Sequence, residues 1–306
     1  MSERSGRFDD LACLFRFDPT GKAAAGAADR LSLRVILGGA DPGNNLSEPE
    51  MQDEWGALHQ SVFGFNVFPY ASVFLENDGK MGGEIGERTA RMYAAAAFFP
   101  TGGEAPDHII TQLEYCAFQS NNSDAVNDSL ARFLDREMLS WVPAFAFAVY
   151  RQTDGYYAEL LTALLKVLID ERAFTEAKFE RPRPGSEKAR EDVSSVRDLA
   201  GHFTTAVRCG MFLSRNDISE LARNVRVPAG FGSRQQMLTT LFDSSRTYSK
   251  ENELTALLDT MCRTEATNWL AAAEDADVDA LTFWSRVWAS RLEHSQRLLQ
   301  DTTELT

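Results

Sequence analysis

Phe68-Pro69-Tyr70-Ala71-Ser72-Val73-Phe74-Leu75 and, further on, Glu104-Ala105-Pro106-Asp107-His108-Ile109 dominate the stretch from Phe65 to Glu114, on which the reading of this chain turns. Between them lie a glycine-studded turn (Gly79, Gly82, Gly83, Gly86) and a helical run from Ile85 to Phe99. Its apolar side carries Ile85, Thr89, Met92, Tyr93 and Ala96. Pro106 suits the first turn of a helix, where its missing N–H would be unpaired anyway. Asp107 in that turn meets free backbone donors and the positive end of the helix dipole. From there Ile109, Ile110, Leu113, Cys116 and Ala117 keep helical period to about Ser120. The aromatic strip Phe68, Tyr70 and Phe74, flanked by prolines and glycines, reads as a loop at the edge of a helical bundle.

Outward from this stretch the pattern stays helical. On the N-terminal side, Phe8, Leu11, Ala12, Leu14 and Phe15 give a short opening helix, which Asp18-Pro19-Thr20-Gly21 breaks. Ala23 to Leu37 reads as a second helix. The glycine-rich loop at 38–45 lacks Gly-Lys-Ser/Thr, so it is a poor phosphate cradle. Ser47 with Glu50 forms a capping box, and Met51, Trp55, Leu58 and Val62 follow on one side of a helix. On the C-terminal side, Asn127 and Asp128 cap a helix bearing Leu130, Phe133, Leu134 and Met138. Pro143 interrupts it before the very apolar Ala144–Tyr150. Tyr157, Leu160, Leu161, Leu164, Leu165, Leu168 and Ile169 mark the clearest amphipathic helix. Prolines and mixed charges make residues 178–192 a connector. Beyond it, residues 193–212, 217–224, 234–248, 251–270 and 278–300 read as helices, with Ser214 and Ser233 as N-caps. Strand-like alternation is nearly absent. The expected fold is all-α: a helical core over 1–177, the connector, and a C-terminal helical extension over 193–306, in the same or a second domain.

The segment Pro69-Tyr70-x-Ser72-Val73-Phe74-Leu75, followed by Glu104-x-Pro106-Asp107-His108-Ile109, resembles the signature of the TorD/DmsD-type (NarJ-like) cytoplasmic chaperones. Phe133-Leu134 and Leu139-Ser140-Trp141-Val142-Pro143-Ala144-Phe145 look like that family's next helix and Trp-x-Pro break, so the likeness covers roughly Trp55 to Leu168. The chain departs from it in Phe68-Pro69-Tyr70-Ala71-Ser72, where the family often has Pro-Pro-Tyr-Glu-Ser, and in its longer C-terminal third. The resemblance implies a chaperone that matures a molybdenum-containing redox enzyme. It would bind the precursor's twin-arginine signal peptide or the apo-subunit and delay export until the cofactor is inserted. It also implies a binding surface that includes Asp107 and His108, with Phe68, Tyr70 and Phe74 as an apolar floor and Glu104 and Glu114 adding negative potential. His108 would either donate to a peptide carbonyl or orient Asp107. Asp107→Asn and Phe74→Ala are then expected to weaken peptide binding while leaving thermal stability nearly unchanged.

Composition narrows the alternatives. A net charge of −14 over 306 residues opposes a broad nucleic-acid or anionic-membrane surface and favours a basic partner. There is no run of eighteen apolar residues, and Met1-Ser2-Glu3-Arg4 leads into no apolar signal core, so a cytoplasmic protein is expected. Cys13, Cys116, Cys209 and Cys262 lie far apart and read as buried reduced thiols. His59, His108, His202 and His294 lack metal-ligand spacing, and no nucleophile turn occurs. Neither an enzyme, a metal site nor a cofactor is expected. A different class is a DNA-binding regulator using residues 214–241 as a helix-turn-helix, with Arg215, Arg223, Arg226 and Arg234 on phosphates. The turn is long for that motif, and a structural hairpin is the plainer reading. A generic helical scaffold is a third reading, and a homo-oligomer stays open.

Overall fold

The computed structural model describes residues 3–16, 21–33, 48–121, 127–175, 177–182 and 193–304, and among these it is helical without a single strand. Two compact units emerge, residues 1–76 with 80–180 and residues 77–79 with 181–306.

The first unit contains α1 (Glu3–Arg16), α2 (Lys22–Arg30), α3 (Glu48–His59), α4 (Ala71–Leu75), α5 (Gly83–Ala95), α6 (Ile109–Asn121), α7 (Asn127–Phe133), α8 (Val142–Tyr150) and α9 (Tyr156–Phe174). Two π-helical segments, Gln60–Asn66 and Leu134–Met138, extend α3 and α7. A helix apolar on all sides belongs in the middle of a bundle. Accordingly α8 is buried from Val142 to Val149, with Phe15, Phe63, Phe74 and Trp141 ringing Phe145 at centroid distances of 6.4, 5.9, 5.9 and 5.4 Å. Pro143 opens this helix where the sequence suggested a break inside one; in a first turn no N–H is missed. The second helix ends at Arg30, short of Leu37, because Ser32 turns left-handed at φ 56°. Ser47 of the expected capping box, the loop at 38–45 and residues 183–192 of the connector lie outside the described residues, while 177–182 form no helix.

An ion pair is buried in this unit. Arg172 near the end of α9 grips Asp135 of the second π-helical segment, Nε to Oδ1 at 2.5 Å and Nη2 to Oδ2 at 3.1 Å. Both side chains are under a tenth exposed.

The second unit comprises α10 (Val196–Phe203), α11 (Ala206–Cys209), α12 (Arg215–Val225), α13 (Arg234–Thr247), α14 (Glu251–Ala276) and α15 (Asp279–Glu304). The last two pair along their length, with Trp269 stacked on Trp288 at 5.5 Å. Ser214 and Ser233 each close a full capping box, with Asp217 and Gln236. The single helix expected over 193–212 is instead broken. Thr204 and Thr205 turn their hydroxyls back onto the carbonyls of Ala200 and Gly201, and Thr205 takes an extended backbone.

Gly210 then leaves α11 at φ 89°, so close to α15 that a Cβ would stand 2.6 Å from Leu292 Cγ, 2.8 Å from Leu292 N and 3.0 Å from Trp288 O. Two of those atoms are backbone and cannot swing aside. Gly210→Ala is therefore expected to destabilise this unit by about 2–4 kcal/mol, read as earlier hydrogen exchange in α15. Exchange rates equal to wild type would show that the two helices separate more readily than the packing implies.

Candidate functional site

The two quoted segments are joined through their backbones. Ala71 N–H donates to Asp107 O and Ile109 N–H to Pro69 O, each at 3.0 Å, so Tyr70 and His108 form an isolated antiparallel bridge. Tyr93 of α5 donates its hydroxyl to Pro106 O at 2.8 Å. The Tyr70 and His108 rings meet edge to face at 4.7 Å. This clamp holds the starts of α4 and α6 together.

Asp107 is 1% exposed, and its Oδ2 accepts from Ser72 N–H at 3.0 Å. Its carboxylate thus caps α4, not the helix that follows it, and α6 begins only at Ile109. The cause is the bridge, which holds the backbone at residue 107 in partnership with Ala71. The other oxygen, Oδ1, has no hydrogen-bond partner and faces Gly86 of α5, where a Cβ would sit 3.5 Å away. Ser72 in turn accepts from Gly82 N–H at 2.9 Å, and Glu76 from Ile85 N–H at 2.7 Å. The glycine-studded turn is consequently gripped at its end, with Gly82 and Gly83 at φ 87° and 68°.

His108 performs the capping that the sequence assigned to Asp107. Its Nδ1 accepts from Ile110 N–H at 3.2 Å, which leaves the ring proton on Nε2. Burial, with the nearby His59 and Arg16 adding to it, pushes its pKa down to about 4, so the ring is neutral at pH 7. An unfolded histidine titrates near 6.5. Between about pH 6.5 and 4 the unfolded chain therefore binds the proton more readily, and the stability held above pH 6.5 is lost as pH falls. The loss is expected to reach about 2 kcal/mol by pH 5. His202 of the second unit is displaced the same way, also to about 4. Urea unfolding at pH 8 and pH 5 checks the first unit: His108→Asn, which retains a capping oxygen, should shrink the difference there, and an unchanged difference would contradict the assignment.

The remaining expected residues divide. Phe68 and Tyr70 are half-buried and Glu104 is exposed; burial and then the charges of Glu104 and Asp107 raise the Tyr70 phenol. Glu114 is tied to Arg16 of α1 at 2.6 Å, so its charge is already matched. Phe74 is not on a surface at all: at 0% exposure it packs on Trp141 and Phe145. The strip is not a loop because Ala71–Leu75 coil into α4, whose first four residues are all buried. Two apolar side chains of this stretch that the sequence reading passed over, Phe65 and Phe99, stand 57% and 79% exposed. Phe65 lies in a π-helical segment, whose extra residue per turn shifts the face that a 3.6-residue period predicts. Phe99 follows Ala97, left-handed at φ 54°, where the helix has stopped.

Residues 20–146 match the family described as nitrate reductase delta subunit. Over that stretch the chain is similar to the delta-subunit family. The family is one of NarJ/TorD-like chaperones that serve molybdoenzyme maturation. The matched segment contains both halves of the clamp, all of α2 to α7 and the first part of α8; α9 and residues 181–306 fall outside it. A search of curated proteins finds no match.

Other features bear on the alternatives. No helix among the described residues is long and apolar enough to cross a membrane. No group of three or more His, Cys, Asp or Glu among them is placed to hold a metal ion. Arg234, expected on DNA phosphate, is committed to its own unit. Its guanidinium lies 4.2 Å over the Phe212 ring and donates to Leu213 O at 2.8 Å, and burial lowers its pKa to about 10.

Proposed function

We propose that this chain is an assembly chaperone for a molybdenum-containing redox enzyme. It acts in the cytoplasm on the catalytic-subunit precursor, binding the twin-arginine signal peptide or the apo-subunit and delaying export until the cofactor is inserted. The observation that carries the reading is that the delta-subunit match spans the clamp, whose outer side presents a half-buried Tyr70 beside an exposed Glu104. A twin-arginine signal combines a basic head with an apolar stretch, and carboxylate beside aromatic surface complements it. In this reading Tyr70, Glu104 and Phe68 touch the peptide. Asp107 and His108 hold Tyr70 in place, Glu114 stays with Arg16, and Phe74 supports from the core.

Titration calorimetry with the client's signal peptide tests this. Tyr70→Ala is expected to weaken binding about tenfold, as loss of an aromatic contact does. Glu104→Gln is expected to weaken it about fivefold, because a rim charge is screened, and should also reduce the salt dependence. Wild-type affinity in both variants would move the site elsewhere. Co-expression with the tagged catalytic subunit gives the second readout: complex formation with the cofactor-free form and release on maturation are expected, and no complex would refute the chaperone role.

A further inference from the structure

The loop between α5 and the clamp carries Phe99 and Glu104, both exposed, the Phe99 side chain at 79%. A single exposed apolar residue means little by itself. Here, however, one residue pins both ends of the loop. The main-chain carbonyl of Tyr93 accepts Phe98 N–H at 2.9 Å, and its ring meets the Phe98 ring at 5.1 Å. The Tyr93 hydroxyl holds Pro106 O at the other end. Phe98 also packs on Tyr115 and Phe118, at 5.4 and 5.3 Å, so it turns inward and leaves Phe99 outside. An aromatic next to an anchored residue gives up less freedom on docking. Phe99 and Glu104 lie five positions apart, which keeps their backbones within about 18 Å of each other.

Glu104 differs from the acids around it. Glu114 is matched by Arg16, Glu137 by Arg88, and Asp107 caps α4. Among the described residues no cation or hydrogen-bond donor engages the Glu104 carboxylate, whose charge acts, after burial, to raise the Tyr70 phenol. An open carboxylate and an open aromatic on one pinned loop fit a ligand that carries a cation and an apolar side chain close together. A second copy of a chain at −14 is a poor source of that cation, and an anionic membrane offers none. We propose that Phe99 is a further binding residue of the client site, taking an apolar side chain of the peptide whose arginine meets Glu104. The loop thereby selects peptides in which the two lie no more than about five extended residues apart. This rests on the chaperone reading and adds to it a contact and a spacing rule.

Fluorescence anisotropy with the full chain and two labelled peptides tests it: Arg-Arg-Ala-Ala-Leu-Leu, and the same peptide with both leucines replaced by serine. Wild type is expected to bind the leucine peptide about tenfold more tightly. Phe99→Ala should leave the helical dichroism unchanged and remove that preference, with the serine peptide bound as before. Glu104→Gln should weaken both peptides about fivefold. Six glycine and serine residues inserted between the arginines and the leucines should cost the leucine peptide most of its advantage. A wild type that binds neither peptide, or both alike, overturns the proposal. So does a Phe99→Ala variant that keeps the preference or loses both peptides equally, and a spacer without effect overturns the spacing rule. The chaperone reading fails separately. If the preference behaves as expected but no complex with the tagged catalytic subunit forms, Phe99 stands as a peptide contact and the maturation role falls; if the complex forms and the preference is absent, the reverse holds.

Discussion

Arg172→Ala is expected to remove about 3–5 kcal/mol from the stability of the first unit, more than any surface change in it. The reason is the number of bonds the guanidinium makes where water is absent. Besides the two bonds to Asp135, Nη1 donates to Thr175 Oγ1 at 2.8 Å and Nη2 to Ala177 O at 3.0 Å. Taking the arginine away leaves a carboxylate on a residue only 2% exposed with its main partner gone. Arg172→Lys should recover little, because an ammonium cannot reproduce the fork. Replacing both members together, Arg172→Met with Asp135→Leu, is expected to be far milder than either single loss, since well-packed apolar groups bring no desolvation penalty. Hydrogen exchange in α8 and α9 under urea reads all three variants. If Arg172→Ala stays within about 1 kcal/mol of wild type, water reaches the pair and the burial is not what the packing indicates.

Much of this could be read from residue order, and what could not shares a cause. Helical period and caps are local signals, so α9 and the N-caps Ser214 and Ser233 appear where the sequence puts them, and α8 starts only two residues early. The clamp is non-local: its bonds join Pro69 and Ala71 to Ile109 and Asp107, and single main-chain bonds between distant segments leave no periodicity to find. The Asp107 case shows the limit well. A carboxylate before a helix is a good cap, but the sequence cannot say which of two helix starts it will reach, and the bridge turns it toward Ser72. Glu114 was legible as an acid on α6 and illegible as a bonded one, since its partner Arg16 belongs to α1. The break at Thr204 was missed because the extended backbone of Thr205 leaves no mark in the apolar pattern of residues 193–212. The π-helical segments carry no composition mark of their own.

Phe74→Ala is the second change with a large expected effect, and it reverses the outcome that a surface strip would give. A phenylalanine removed from a closed core typically costs about 3–5 kcal/mol, the lost transfer energy plus the cavity left behind. Phe74 meets that description: it is 0% exposed, with Trp141 at 5.5 Å and Phe145 edge-on at 5.9 Å. Its loss also loosens α4, whose N-terminus the clamp fixes through Asp107 and Ser72, so Tyr70 would lose part of its support. Binding of a signal peptide at Tyr70 and Glu104 would then fall as the folded fraction falls, not through a missing contact. Measuring unfolding and peptide affinity together separates the two. Under conditions where Phe74→Ala remains folded, its affinity is expected within about twofold of wild type, while its urea midpoint drops sharply. Phe74→Leu, which keeps most of the volume, should regain most of the stability. A variant with an unchanged midpoint and a lost affinity would mean that the ring leaves the core to meet the client, and α4 would have to open for binding to occur.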